Sequence, residues 1–174
     1  MKTKLICIIT LLAAALPTLA VSGSKSNGLV LGFKSMFAIS SPFTSTYLRE
    51  IPGDSQEWTI NKMIKGQLNA NGKLDIKVRG LGLAINPPTD SPAEFYAAVS
   101  CLTSDGTNVV TENVITSGFS ADSDGNANIK AKLNLPNPCV APVVMILNGD
   151  PNDGGVWLAA SGFDPVGNGG NPNK

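Results

Sequence analysis

The chain has 174 residues, 13 basic and 13 acidic, and no histidine; that length suits one domain. Sparse, balanced charge argues against nucleic-acid or anionic-membrane binding driven by bulk electrostatics. Without imidazole, Ser-His-Asp and Cys-His nucleophile systems, histidine-ligated zinc or copper and facial-triad iron are all excluded.

Met1-Lys2-Thr3-Lys4, the apolar run Leu5 to Ala15 and the small-residue end at Ala20 read as a secretory signal peptide over residues 1–20. Cys7 lies inside the apolar run, not at the cleavage point, so a lipoprotein signal is not expected. The polar end Asn168 to Lys174 lacks a lipid-anchor tail. A secreted, extracellular product of 154 residues follows, with 11 basic and 13 acidic residues once Lys2 and Lys4 are removed. Within it, residues 21–48 read as a partly flexible N-terminal segment, 49–163 as the folded domain and 164–174 as a flexible tail.

From Trp58 onward, short segments with β-branched or alternating residues are separated by Gly, Pro, Asn and Asp. Trp58 to Ile64 opens the set. Next comes a hairpin in which Gly66 to Ala70 turns at Asn71-Gly72 into Lys73 to Arg79, and the glycine supplies positive φ. In that second arm Leu74, Ile76 and Val78 share one face, while Lys73, Asp75, Lys77 and Arg79 share the other. Ala84 to Pro92, with Pro87, Pro88 and Pro92, is a loop. Strands are predicted at Glu94 to Leu102, Asn108 to Thr116, Asn126 to Leu135, Val140 to Leu147 and Val156 to Gly162. Turns fall at Ser104-Asp105-Gly106, Asp122 to Gly125 and Asn148 to Pro151. With no amphipathic helix, the pattern predicts an all-β antiparallel sandwich, Greek-key or immunoglobulin-like, with a barrel as the alternative. Gly72 to Arg79 also matches Gly125 to Lys132 in character at an offset of 53 residues. That is either an internal duplication or the same hairpin physics used twice.

Signal removal leaves two cysteines, Cys101 and Cys139, and an even pair in an oxidising compartment predicts one disulfide between them. Closing that loop stabilises the fold by roughly 3 to 4 kcal/mol in the chain-entropy model.

Carboxylate pairs would suffice for a small hydrolase acting on polysaccharide. The candidates Asp54, Glu57, Glu94 and Glu112 sit in no marking motif, so turn and strand-face acids are the preferred reading. No cofactor is expected. Calcium is the better chemical candidate of the two, with oxygen-rich loops at Asp122-Ser123-Asp124-Gly125-Asn126 and at Asn148 to Asp153, though tight turns select the same residues and are the preferred reading. A sugar-stacking platform would draw on Trp58, Trp157, Tyr47 and Tyr96. Trp157 and Tyr96 lie in continuous apolar runs expected to be core, and Trp58 is the expected exposed ring. The outward stripe Lys73, Lys77 and Arg79, joined by Lys130 and Lys132, suits either an acidic partner or plain solvation.

Arg49-Glu50-Ile51-Pro52-Gly53 with Trp58, Val78-Arg79-Gly80-Leu81, Val99-Ser100-Cys101-Leu102, Pro138-Cys139-Val140-Ala141-Pro142 and Trp157 form a recognisable set. It resembles a family of secreted, functionally uncharacterised β-rich proteins of bacteria and fungi, over roughly Arg49 to Phe163. The resemblance implies the secreted fold and the single disulfide, and brings no activity with it. The expected function is a non-enzymatic extracellular binding or interaction module for a carbohydrate or protein surface, without nucleic acid or membrane.

Overall fold

The computed structural model describes residues 28–85 and 91–162. The predicted signal peptide, residues 163–174 and the Pro87-Pro88 part of the predicted loop lie outside them.

Alternation of apolar and polar residues gives two antiparallel sheets. The first contains β1 (Leu29–Phe33), β5 (Trp58–Asn69), β6 (Lys73–Leu83) and β10 (Ala127–Lys132), in the order β1-β5-β6-β10. The second contains β2 (Phe37–Ala38), β12 (Val156–Ala160), β11 (Val140–Asn148), β7 (Glu94–Ser104) and β8 (Val109–Ile115), in the order β2-β12-β11-β7-β8. Strand β9 (Phe119–Ser120) pairs with the start of β7, continuing the edge that β8 occupies further along. Between them Thr116 keeps the ladder closed, its hydroxyl accepting the Ala97 N–H at 2.9 Å. A third, two-stranded element joins β3 (Tyr47–Leu48) to β4 (Ile51–Pro52). The fold is therefore the predicted all-β sandwich, and the sheets do not close into a barrel.

The core fills from the alternating faces. Ile64, Leu68, Leu74, Ile76, Val78 and Ile129 of the first sheet are fully buried, as are Phe95, Ala97, Val99, Cys101, Val144 and Ile146 of the second. Cys101 and Cys139 are bonded, with Cα atoms 4.9 Å apart, tying β7 to the start of its neighbour β11.

The sheets also take in residues ahead of 49. β1 pairs with β5, and β2 pairs with β12. These strands are too short or too weakly alternating to register as a sequence period, and long-range pairing alone defines them.

A bulge between Ile60 and Met63 sets two residues of β5, Asn61 and Lys62, opposite Gly80 of β6. Gly80 has φ +74°, and beyond it Leu81 turns inward, where strict alternation would have placed it outside with Arg79. The pattern legible in Lys73 to Arg79 thus ends at a phase change rather than at the strand end.

The outer face of the second sheet is covered by the β3–β4 hairpin. Ala98, Ser100 and Met145 point away from the core facing the first sheet, yet all three are fully buried. Asn113, which faces Ser100 across the β7–β8 pair, donates from Nδ2 to the Arg49 carbonyl at 2.8 Å. The Arg49 guanidinium donates to the Ala141 carbonyl at 3.2 Å. At its base the hairpin joins β12 by an isolated bridge between Gly53 and Trp157. Gly53 back to Arg49 spans about 13 Å of extended chain, close to the three interstrand steps of about 4.8 Å from β12 to β8. The hairpin therefore lies across the strands beneath it. Its tip, Arg49-Glu50, has both residues at positive φ, 50° and 69°, the sign that a tight two-residue hairpin turn of right-handed twist requires.

Candidate functional site

Beside that hairpin, on the same outer face, lies a groove of about 470 Å³. Its floor is the buried Trp157 and Ala160, and Phe37, Phe43, Tyr47 and Leu48 complete its lining. No charged side chain lines it. Phe43 and Phe37 meet edge to face, centroids 5.8 Å apart at 86°, the arrangement the ring quadrupoles favour. Phe43 is 51% exposed and Tyr47 is 74% exposed. Both rings are thus held by short, well-bonded backbone and still offer their faces to solvent.

The loop that carries them is fixed from several sides. The Thr46 carbonyl accepts the Gly53 N–H at 2.9 Å and the Trp157 indole N–H at 3.1 Å. The Ser45 N–H donates to the Asp54 carbonyl at 2.8 Å, and the Phe43 N–H to the Ser40 carbonyl at 2.7 Å. Gly53 has no room for a side chain, because a Cβ there would lie 2.6 Å from Ile39 Cδ1 and 2.8 Å from the Thr46 carbonyl. The chain can therefore pass between the floor tryptophan and Ile39 only as glycine.

Trp58, expected to be the exposed ring, is in the core at 5% exposure, its indole N–H donating to Asp54 Oδ2 at 3.1 Å. The reason is register: Trp58 opens β5 opposite Leu83 and shares the inward parity of Ile60, Ile64 and Leu68. Trp157 is buried at 3%, as its apolar run predicts, and Tyr96 is half-buried. Phe37, Phe43 and Leu48 were not singled out by sequence, because no short pattern signals a groove assembled from residues over a hundred positions apart.

Of the acids named as hydrolase candidates, Asp54 and Glu57 have structural partners. Asp54 receives the Trp58 indole and, on Oδ1, the Gln56 N–H at 2.9 Å. Glu57 accepts the Ser41 N–H at 2.9 Å. Glu112 is exposed on β8, and the Glu94 carboxylate lies against Gly118. In the Asp122 loop, Oδ1 accepts the N–H groups of Asp124 and Asn126 at 3.0 and 2.9 Å, and Oδ2 accepts the Asn126 amide at 3.0 Å. Asp150 caps the 3-10 turn Pro151–Asp153 by accepting from Asn152. The Asp122 and Asp150 carboxylates are thus occupied by donors of their own turns. Among the described residues no cluster of three or more His, Cys, Asp or Glu side chains is placed to hold a metal ion, and no helix is long and apolar enough to cross a membrane.

These turn bonds hold two carboxyls below the ordinary value of 3.8. For Asp122 the Asn126 side-chain amide contributes most, followed by the Asn126 N–H; for Asp105 the Asn108 N–H leads, then that of Thr107. A folded value below the unfolded one gives stability that is complete above the unfolded value and lost as pH falls through the folded value. Asp122→Asn is therefore expected to lower the Tm near neutrality. Its deficit relative to the parent should shrink towards zero between about pH 4 and pH 2, read by thermal scans. A deficit that stays constant with pH would show that the charge on Asp122 is not the source.

The opposite side of the molecule is the outer face of the first sheet. Register sets Lys65 opposite Lys77 and Lys73 opposite Lys132. Lys130 faces Asp75 at 3.9 Å, a solvent-exposed pair worth at most about 1 kcal/mol. Arg79 donates to the Ala127 carbonyl and to Asn128 Oδ1, both at 2.9 Å.

No family model matches the chain, and no curated protein and no solved structure matches it.

Proposed function

We propose that this protein is a non-enzymatic extracellular binding module whose ligand is a neutral carbohydrate held in the groove beside the β3–β4 hairpin. The observation that carries the reading is the pair of exposed rings, Phe43 and Tyr47, lining an uncharged concavity floored by Trp157. A folded domain gains stability by burying such rings. Here the backbone hydrogen bonds of residues 39 to 54 keep them at the surface instead. The volume lies within the range of pockets that enclose small ligands. Sugar rings present apolar C–H faces that stack on an aromatic ring, and a neutral lining favours an uncharged ligand over an ionic one. The absence of histidine from the chain and the structural engagement of Asp54 and Glu57 favour binding over turnover.

The test is sedimentation with insoluble neutral polysaccharides. Tyr47→Ala is expected to weaken binding about tenfold, equivalent to about 1.4 kcal/mol, with the Tm unchanged because the ring is mostly in solvent. Phe43→Ala should act in the same direction. Retention of full binding by the double variant would refute the site, and release of soluble sugar from the polymer would refute the non-enzymatic reading.

A further inference from the structure

We propose that the outer face of the first sheet is a second binding surface, and that its ligand is a linear acidic polysaccharide. Although the chain is neutral overall, with 13 basic and 13 acidic residues, the fold segregates the charges. Lys65, Lys73, Lys77, Arg79, Lys130 and Lys132 project from β5, β6 and β10 on one face, where Asp75 is the acid among them. Acids such as Glu94 and Glu112 stand on the other sheet, and Asp54, Asp105, Asp150 and Asp153 lie in turns and connections. Net charge therefore understates what this face offers to an anion.

The register makes the argument specific. Lys65 directly faces Lys77, and Lys73 directly faces Lys132. Like charges in directly opposed positions repel across a strand pair. A carboxylate or sulfate laid between the two ammonium groups of such a pair would convert that repulsion into two attractions. Successive outward positions along a strand are about 7 Å apart, so cations stand along β6 at Lys73, Lys77 and Arg79, with the neutral Lys130–Asp75 pair between the first two. A flexible chain with an acid group on successive or alternate sugar units can run along these cations. The Asn128 and Gln67 amides share the face and can bond its hydroxyls. A lipid surface fits less well, because the exposed aliphatic side chains Leu29 and Val30 lie on the edge strand β1, and among the cations of β5, β6 and β10 Met63, at 44% exposure, is the exposed large apolar side chain. Nucleic acid also fits less well, as no aromatic ring stands among the cations to stack a base.

The experiment compares retention of the full chain on immobilised polygalacturonate, dextran sulfate and neutral dextran. Parallel arms use vesicles of phosphatidylserine and phosphatidylcholine, duplex DNA and polyglutamate. Expected are retention on one or both acidic polysaccharides, release by added salt as screening demands, and none on neutral dextran at this face. The double variant Lys65→Gln, Lys77→Gln should lose binding at least tenfold, while its Tm without ligand stays level or rises because the opposed charges are gone. Unchanged retention by the double variant, or tighter binding to vesicles, DNA or polyglutamate than to either acidic polysaccharide, overturns the proposal. Tyr47→Ala should leave acidic-polysaccharide retention intact, so the groove and this face succeed or fail independently.

Discussion

Replacing both Cys101 and Cys139 by alanine is expected to destabilise the fold by about 4 kcal/mol, the loop-closure entropy of a cross-link across 38 residues. Stabilities of single domains fall at about 5 to 15 kcal/mol, so this one bond accounts for a large share. For a domain of this size the Tm should drop by about 8 to 16 °C. Urea titration distinguishes the mechanism: freed from its cross-link, the unfolded chain expands and exposes more surface, so the slope of stability against urea should rise as the midpoint falls. The native sheet should survive in the absence of denaturant, because β7 and β11 remain paired from Val143 opposite Ser100 to Leu147 opposite Tyr96. A loss below about 1 kcal/mol would show that the unfolded chain is already compact in this region.

Gly125→Ala is the substitution expected to do most damage away from the cysteines. Gly125 has φ +70°, and a Cβ built there would lie 1.9 Å from the Leu81 carbonyl oxygen. The strand β6 would have to move, breaking the bond in which the Leu81 N–H donates to the Gly125 carbonyl at 3.2 Å. Left-handed backbone costs a residue with a Cβ about 1 to 2 kcal/mol, and a broken buried bond adds about 1 to 3 kcal/mol. A total near 3 kcal/mol or above is expected, measured by urea unfolding. Gly72→Ala should behave alike, since its Cβ would lie 2.0 Å from the Leu133 carbonyl oxygen. Gly106→Ala is the control: it also has positive φ, at 97°, but a Cβ there meets nothing within 4 Å. Only the conformational cost should appear in it, and equal losses at all three positions would remove the steric argument.

The equivalence of Gly72 and Gly125 gives a structural meaning to the 53-residue offset. The two matching segments are β6 and β10, which pair antiparallel with Ile76 opposite Ile129 and Lys73 opposite Lys132. Each segment lies four residues past its glycine at the central isoleucine, so the pair is related by a local two-fold axis. Each glycine turn packs against the far end of the other strand. Duplicated spacing in the chain becomes reciprocal packing in space, and it also brings the two lysine stripes together on one face.

Alternation of side-chain type along the chain determined the long strands, the hairpin turn at Gly72 and the pairing of the cysteines. These depend on neighbours two residues apart, or on there being only two thiols beyond the predicted signal segment. Tertiary structure decided the rest. Trp58 went inside because its strand begins earlier in phase than its polar neighbours suggest. β2, β3 and β4 span two residues each and carry no period; they exist because the edge of β12 and the outer face of β7, β11 and β8 offer unpaired backbone and apolar surface to cover. The groove and the concentrated cations follow from the same cause. Their residues are distant in sequence and become neighbours only through strand order and register, which depend on hydrogen bonds between segments that no local pattern encodes.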